Sequence, residues 1–374
     1  MQIRAAVLRA MGAPPPYAQS RPLVIEAVEL APPGPGEVLV RIGAAGLCHS
    51  DLSVINGDRP RSMPMALGHE AAGVVEALGD GVHDLQRGDH VVLVFVPSCG
   101  HCAPCAEGRP ALCEPGAAAN ASGTLLGGER RLSLGEVTLN HHLGCSVFAE
   151  YATVSRRSLI RIERDLPLHH AALFGCAVLT GVGAVVNTAR LQAGSSAAVI
   201  GLGGVGLASV MGAHAAGARR IVAIDLAPAK LELARELGAT DVFDARDPDC
   251  VAQVRAATGG GVEYAFELAG SVRALDTAWR VTRRGGMTVT AGLPPPEAAF
   301  ALPAVALVAE ERTLKGSYIG TCVPSRDIPR YIELFRQGRL PVDRLLSARL
   351  ALEDINTGFD RLACGEAVRQ VIEF

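Results

Sequence analysis

A run of closely spaced glycines, Gly201-Leu202-Gly203-Gly204-Val205-Gly206, limits what this chain can fold into more than any other stretch. It follows an apolar segment, Ala197-Ala198-Val199-Ile200, that reads as a buried strand, and it opens a segment from Gly204 to Ala216 that reads as a helix. Asp225 closes the next apolar strand, Arg220 to Ile224, about twenty residues on. Strand, glycine turn, helix, strand and acid is the order in which a parallel sheet meets a dinucleotide. Gly201 permits the tight turn, Gly203 lets backbone approach a pyrophosphate, and Gly206 lets helix and strand pack closely. The helix beginning at Gly204 and Val205 then offers unpaired N–H groups and partial positive charge to the phosphates. Asp225 is suited to accept hydrogen bonds from the ribose hydroxyls and to repel a 2′-phosphate, which predicts NAD over NADP. Lys230 belongs either near that ribose or in solvent. A glycine turn in a sheet that binds nothing is the alternative reading.

Further strands and helices follow in alternation. Pro228 to Leu237 reads as a helix opened by proline, and Asp241 to Phe243, Val262 to Leu268 and Gly286 to Ala291 read as strands. Alternation of this kind means a parallel sheet covered on both faces, an α/β architecture. Before Leu179 the texture is different. Short strands at Ile3 to Leu8, Glu37 to Ile42, Gly73 to Leu78 and Asp89 to Val96 are separated by Pro/Gly turns, so this half is β-rich. After Tyr318 two amphipathic helices, Ile328 to Gln337 and Leu352 to Leu362, form a tail expected to return to the first domain. With 374 residues the chain exceeds one ordinary hydrophobic core. The expected division is 1–178 with a cysteine lobe at 97–115, a dinucleotide-binding domain at 179–318, and 319–374 rejoining the first.

The balance of 35 basic against 38 acidic residues gives no footprint for nucleic acid or an anionic membrane. Ser196 to Ala218 is apolar enough to raise the question of a membrane span, but its six glycines favour a turn. The N-terminus lacks the apolar region and cleavage site of an export signal, so a cytoplasmic location is expected.

Of the ten cysteines, Cys99, Cys102, Cys105 and Cys113 follow C-x2-C-x2-C-x7-C, a spacing for metal in a reducing compartment. Four thiolates leave a tetrahedral zinc no open position, so this site is structural; an iron–sulfur cluster is its rival. His101 lies inside the loop and is expected at the surface. Cys48, His69 and Cys176 form a second set at wide spacing. Each alone suits a buried core, but one Cys, one His and one Cys together leave zinc an open position, as in a catalytic site. Asp51 is placed to orient His69 through its second ring nitrogen. Glu70 is either a transient ligand or a salt-bridged neighbour, and Ser50 offers a hydroxyl beside the metal. Cys145, Cys250, Cys322 and Cys364 fall in no motif.

With Gly46-Leu47-Cys48-His49-Ser50-Asp51, Gly68-His69-Glu70, Phe148-Ala149-Glu150-Tyr151, Phe174-Gly175-Cys176, Thr180-Gly181, Lys315-Gly316 and Val368-Arg369, the chain resembles the zinc-dependent medium-chain alcohol dehydrogenase family nearly end to end. Length and the segment from Pro115 to Asn140 look most like the branch of liver-type and glutathione-dependent formaldehyde dehydrogenases. The resemblance implies a GroES-like catalytic domain, a Rossmann domain, NAD, one catalytic and one structural zinc per chain, and a homodimer, with a tetramer the form of shorter bacterial members. It implies zinc-dependent oxidation of primary aliphatic or aromatic alcohols to aldehydes, and the reverse, by hydride transfer to NAD. Oxidation of S-hydroxymethylglutathione or another thiol adduct of formaldehyde is the alternative, and a catalytically silent dinucleotide-binding relative the second. Among the residues, the resemblance gives Ser50 the substrate hydroxyl and its proton, and puts Thr180 and Val205 beneath the nicotinamide. It assigns His49 and Arg369 to the pyrophosphate. Phe95, His142, Leu143, Arg59 and Tyr318 take pocket positions. Two departures stand out: Ser53 occupies the place of a relay histidine, and Gly116 and Ala117 stand where the glutathione-dependent branch carries an arginine for the substrate carboxylate. The second places primary alcohols first.

Overall fold

A computed structural model describes all 374 residues, which divide into two compact units. The first comprises Met1–Cys176, Val323–Pro329 and Leu346–Phe374, and the second Ala177–Cys322 and Arg330–Leu345. The tail therefore differs from the expectation of a simple return. Residues 330–345 pack with the second unit, because the helix Pro324–Arg336 changes unit part-way along its length.

The first unit carries two sheets. Gln2–Leu8, Leu23–Leu30, Leu132–Leu134, Val137–His141 and Met65–Ala66 close into a small barrel. A seven-stranded sheet runs Leu159–Ile162, His90–Leu93, Glu70–Leu78, Glu37–Gly46, Arg369–Glu373, Leu346–Leu350, with Tyr151–Ser155 also paired to Glu37–Gly46. Its central strand buries Val38, Val40, Ile42 and Ala44 on one face, while Arg41 on the other is exposed. Each such valine or isoleucine removed from water contributes about 1.5–3 kcal/mol. The helix Ile355–Ala363 sets Phe359 edge-on to Phe148 with ring centroids 6.0 Å apart, both fully buried.

The second unit is a six-stranded parallel sheet in the order Asp241–Asp244, Arg220–Asp225, Ser196–Ile200, Val262–Glu267, Thr282–Thr290, Thr313–Gly316. Counted along the chain this is 3-2-1-4-5-6, with the topological switch beside Ser196–Ile200, the strand that leads into the glycine turn. Ser196–Ile200 is buried throughout, and the helix Gly204–Ala215 packs on it. The apolar stretch from Ser196 is thus a strand and a helix joined at a turn. No single helix in the chain is long and apolar enough to cross a membrane.

Candidate metal and dinucleotide sites

Pairing of two strands assembles the first donor set. Glu37–Gly46 runs antiparallel to Glu70–Leu78 with Gly46 opposite Glu70, so Cys48, just past one strand, and His69, just before the other, leave the sheet side by side. Cys176 arrives from the turn Ala172–Gly175, where a Cβ on Gly175 would lie 2.3 Å from the Leu93 carbonyl oxygen. Any larger residue there would push the turn off the sheet. The donor atoms of Cys48, His69, Glu70 and Cys176 all lie within 4.8 Å of one another, and all four residues are buried. Cys176 Sγ is 3.7 Å from His69 Nε2.

Electrostatics at this set suits a cation. Hydrogen bonding from the Cys176 thiol holds Cys48 well below the ordinary thiol value, and the same bond with burial pushes Cys176 well above it. Burial raises Glu70 to about 7 against the pull of Arg369, whose Nη1 is 3.8 Å from Glu70 Oε2 and donates to Leu47 O at 3.2 Å. Neither Glu70 oxygen has a hydrogen-bond partner. Two buried oxygens without donors beside two sulfurs and an imidazole nitrogen are costly by themselves and are satisfied by a bound divalent cation. Glu70 thus faces both candidate partners, the donor set and Arg369.

Behind His69 stands Asp51, on the first turn of the helix His49–Ile55. Asp51 Oδ1 accepts from Gly68 N at 3.2 Å and lies 3.1 Å from His69 Nδ1. That contact fixes the ring with Nε2 towards the sulfurs. His142, one of the residues given a pocket position, is buried, its Nδ1 lies 3.1 Å from the same Asp51 oxygen, and its ring meets His69 edge-on at 5.4 Å. Nothing in the sequence separation of 51 and 142 signalled this contact. Phe95 is also edge-on to His69 at 5.1 Å. Leu143 is buried with φ of 52°. Arg59 is half-buried, its N–H bonded to Ser53 O at 2.8 Å. Ser50 is half-buried and His49 exposed. Ser53 Oγ donates to His49 O at 2.8 Å.

In the cysteine lobe the Sγ atoms of Cys99, Cys102, Cys105 and Cys113 are likewise within 4.8 Å of one another, and none forms a disulfide. Backbone N–H groups point at the sulfurs: His101 and Cys102 at Cys99, at 3.5 and 3.3 Å, and Gly116 at Cys113, at 3.4 Å. These donors lower Cys99 to about 6, while burial pushes Cys105 up to about 12. Four sulfurs with amide support fit a tetrahedral cation. Gly116 is itself constrained, since a Cβ there would lie 2.3 Å from Pro97 O. His101 is exposed. Of the remaining cysteines, Cys145 is buried and raised to about 12, chiefly by that burial, Cys250 lies in the apolar core of the second unit, Cys322 donates to Leu179 O at 3.2 Å, and Cys364 is exposed.

The glycine turn of the second unit shows why each glycine is there. Gly201 has φ of 90° and lies against Ala269; a Cβ on Gly206 would overlap Gly201 O at 1.8 Å; a Cβ on Gly203 would point into open space, where a phosphate has room. Asp225 Oδ2 accepts from Leu202 N at 2.6 Å and Oδ1 from Ala227 N at 2.9 Å, so its carboxylate is held at the turn beside strand ends Ile200 and Ile224. Lys230 is half-buried on the following helix, Pro228–Glu236. A Cβ on Gly181 would meet Val205 O at 2.2 Å, which brings the helix Ala177–Gly183, carrying Thr180, against Val205 at the head of Gly204–Ala215. Tyr318 is 40% exposed.

Residues 34–164 match the alcohol dehydrogenase GroES-like domain and residues 204–337 the zinc-binding dehydrogenase family. An S-(hydroxymethyl)glutathione dehydrogenase from Synechocystis sp. is 38% identical over 100% of both chains. The chain belongs to the zinc-dependent medium-chain alcohol dehydrogenase family. Alcohol dehydrogenase class-3 of Drosophila melanogaster is 38% identical over 95% of each chain. Among solved structures, an alcohol dehydrogenase zinc-binding domain protein from Burkholderia ambifaria superposes with a TM-score of 0.94 at 37% identity, covering 100% of this chain and 99% of its own. Benzyl alcohol dehydrogenase from Acinetobacter calcoaceticus follows at 0.93 and 32%, with the same coverage. The fold is thus a GroES-like catalytic unit with a Rossmann unit, and the enzyme is an NAD-dependent zinc dehydrogenase with a catalytic and a structural zinc. Zinc replaces the iron–sulfur alternative for the lobe. The expectation of primary alcohols as main substrates is overturned: full-length relatives at 37–38% identity carry the S-(hydroxymethyl)glutathione name. The inference from Gly116 and Ala117 gave one position too much weight against the rest of the chain.

Proposed function

We propose that this dehydrogenase oxidises S-(hydroxymethyl)glutathione, or another hydroxymethyl adduct of a thiol, with NAD. The observation that carries the reading is the match over the whole chain to an enzyme of that name. In the reaction the CH2–OH carbon gives a hydride to NAD and the hydroxyl a proton, leaving an S-formyl thioester. Zinc, when held by Cys48, His69 and Cys176, supplies a Lewis acid that acidifies the substrate hydroxyl, and NAD supplies the hydride acceptor. Asp51 keeps His69 in the tautomer that presents Nε2 to the metal. The Ser50 hydroxyl takes the substrate proton. Ser53 directs its own proton at His49 O, so it accepts a hydrogen bond and passes nothing on while that bond stands; the exit runs through water or ribose hydroxyls. Phe95, edge-on to His69, excludes water from one side of that ring. In the second unit Asp225 selects NAD by its ribose contacts, Thr180 and Val205 support the nicotinamide, and Lys230 flanks the ribose. His49 and Arg369 serve the pyrophosphate.

Formation of NADH with S-hydroxymethylglutathione, hexanol and benzyl alcohol tests the reading. The adduct is expected to give the highest kcat/KM; a higher value for either alcohol removes it.

A homodimer is part of the same reading. Its support is the outer strand Thr313–Gly316, unpaired on one side, next to the helix Ala304–Ala309 with Val305 and Val308 73% and 80% exposed. Such an edge with apolar neighbours is normally covered. Sedimentation velocity checks it, a monomer being the contrary result. Unpaired thiols throughout suit a reducing compartment, as the cytoplasm is.

A further inference from the structure

S-(hydroxymethyl)glutathione carries two carboxylates, and the lobe position that would meet one holds Gly116 and Ala117. A cation elsewhere in the chain can do that work. Most arginines of the first unit are already committed: Arg4 to Glu150 and Glu353, Arg9 to Glu26, Arg131 to Glu37, Arg156 to Asp84, Arg369 to Glu70. Arg61 is not. It takes part in no ion pair, is half-buried, and its Nε is buried without a hydrogen-bond partner.

The loop that carries Arg61 is tethered on both sides. Arg61 N donates to Met11 Sδ at 3.3 Å, and Asn140 Nδ2 donates to Ser62 O and Pro64 O at 3.1 and 3.0 Å. The strand Met65–Ala66 then pairs in parallel with Asn140 and His141, one residue short of His142. The loop that carries Arg61 thus runs into a strand ending beside His141, the neighbour of His142, whose ring lies 5.4 Å from the metal-ligand imidazole.

We propose that Arg61 binds a carboxylate of the thiol adduct, so that this dehydrogenase selects hydroxymethyl adducts of acidic thiols by a cation on the loop before Met65 and not by one on the cysteine lobe. A guanidinium with uncommitted N–H groups on a rigid loop can take a carboxylate through two parallel hydrogen bonds, which an ammonium cannot reproduce. The inference rests on the proposed reaction.

Arg61→Ala, Arg61→Lys and the exposed-arginine control Arg161→Ala are compared with the unchanged zinc-loaded enzyme. Each is assayed on S-hydroxymethylglutathione and on the uncharged hydroxymethyl adduct of 2-mercaptoethanol. For Arg61→Ala, KM for the glutathione adduct is expected to rise about 10- to 100-fold with kcat little changed. KM for the uncharged adduct should move less than about threefold, and Arg61→Lys should recover part of the loss. Equal rises for both adducts, or a rise matched by Arg161→Ala, overturn the assignment while leaving the reaction standing. Failure of the unchanged enzyme to oxidise either adduct overturns both.

Discussion

Asp51 Oδ1 lies 3.1 Å from His69 Nδ1, and neither side chain touches solvent. Burial alone would raise the Asp51 carboxyl, yet the neighbouring His69 and His142 rings keep it below the usual carboxylate range, so it stays charged beneath the metal ligand. Asp51→Ala is expected to weaken zinc retention or lower kcat/KM by about 10- to 100-fold, and Asp51→Asn by less. Metal analysis after dialysis against a weak chelator separates the two effects; unchanged zinc content and rate would remove the orienting role.

Cys176 belongs to the first unit and the dinucleotide turn to the second. Cys176→Ala should abolish turnover while the Kd for NAD, read by fluorescence quenching of NADH displacement, stays nearly the same. Residual turnover near the original rate would mean that the metal is held otherwise.

In the lobe, removal of one sulfur leaves three thiols and the amide groups aimed at them without a cation. Cys105→Ser is expected to reduce zinc from two ions per chain to one and to lower Tm by about 4 °C, the shift of about 3 kcal/mol in a chain of this size. Two zinc ions retained at an unchanged Tm would contradict a structural metal there.

For Asp225, whose carboxylate is oriented by Leu202 N and Ala227 N, replacement by serine removes the charge that meets a 2′-phosphate. The NADP/NAD ratio of kcat/KM should rise about tenfold or more, equivalent to about 1.4 kcal/mol. An unaltered ratio would place nucleotide choice elsewhere.

His141 yields a pH prediction outside the metal sites. Burial first, then Arg130 and Arg131, lower it from 6.5 to about 3, and its Nε2 accepts from Arg131 N at 3.0 Å. The unfolded chain takes up this proton near 6.5 while the folded chain resists it until about 3. Stability from His141 is therefore complete above pH 6.5 and falls as pH drops through that window, by at most about 1.4 kcal/mol per unit. His141→Gln keeps an acceptor for Arg131 and should flatten this part of the urea-midpoint profile; an identical slope in both proteins would assign the loss to other groups.

Local order was legible in the sequence where one residue's neighbours along the chain decide its environment. The Gly201 turn, its strand and its helix, Asp225 at the next strand end, and the C-x2-C-x2-C loop are all short-range patterns, and the structure has the strand at Ser196–Ile200 and the helix at Gly204–Ala215. The barrel was not legible. Leu132–Leu134 and Met65–Ala66 are too short to show a period, and their pairing joins residues far apart in sequence. Likewise no spacing rule connects His142 to Asp51 or Arg369 to Glu70; the second contact follows from sheet register, Val371 and Glu70 both lying opposite Gly46. Substrate choice was misjudged for a related reason, because Gly116 and Ala117 exclude a cation at one place and say nothing about Arg61.

Arg369–Glu373 lies inside the first unit's sheet, between Glu37–Gly46 and Leu346–Leu350. During synthesis every strand of the parallel sheet has left the ribosome before this one emerges, so the nucleotide-holding half can close early while the metal-holding half keeps an open seam along Glu37–Gly46. Nascent chains stalled short of residue 369 should accordingly acquire a protected Rossmann core yet remain open to proteases at their amino-terminal half. Ligand addition at that stage would then stabilise through dinucleotide alone.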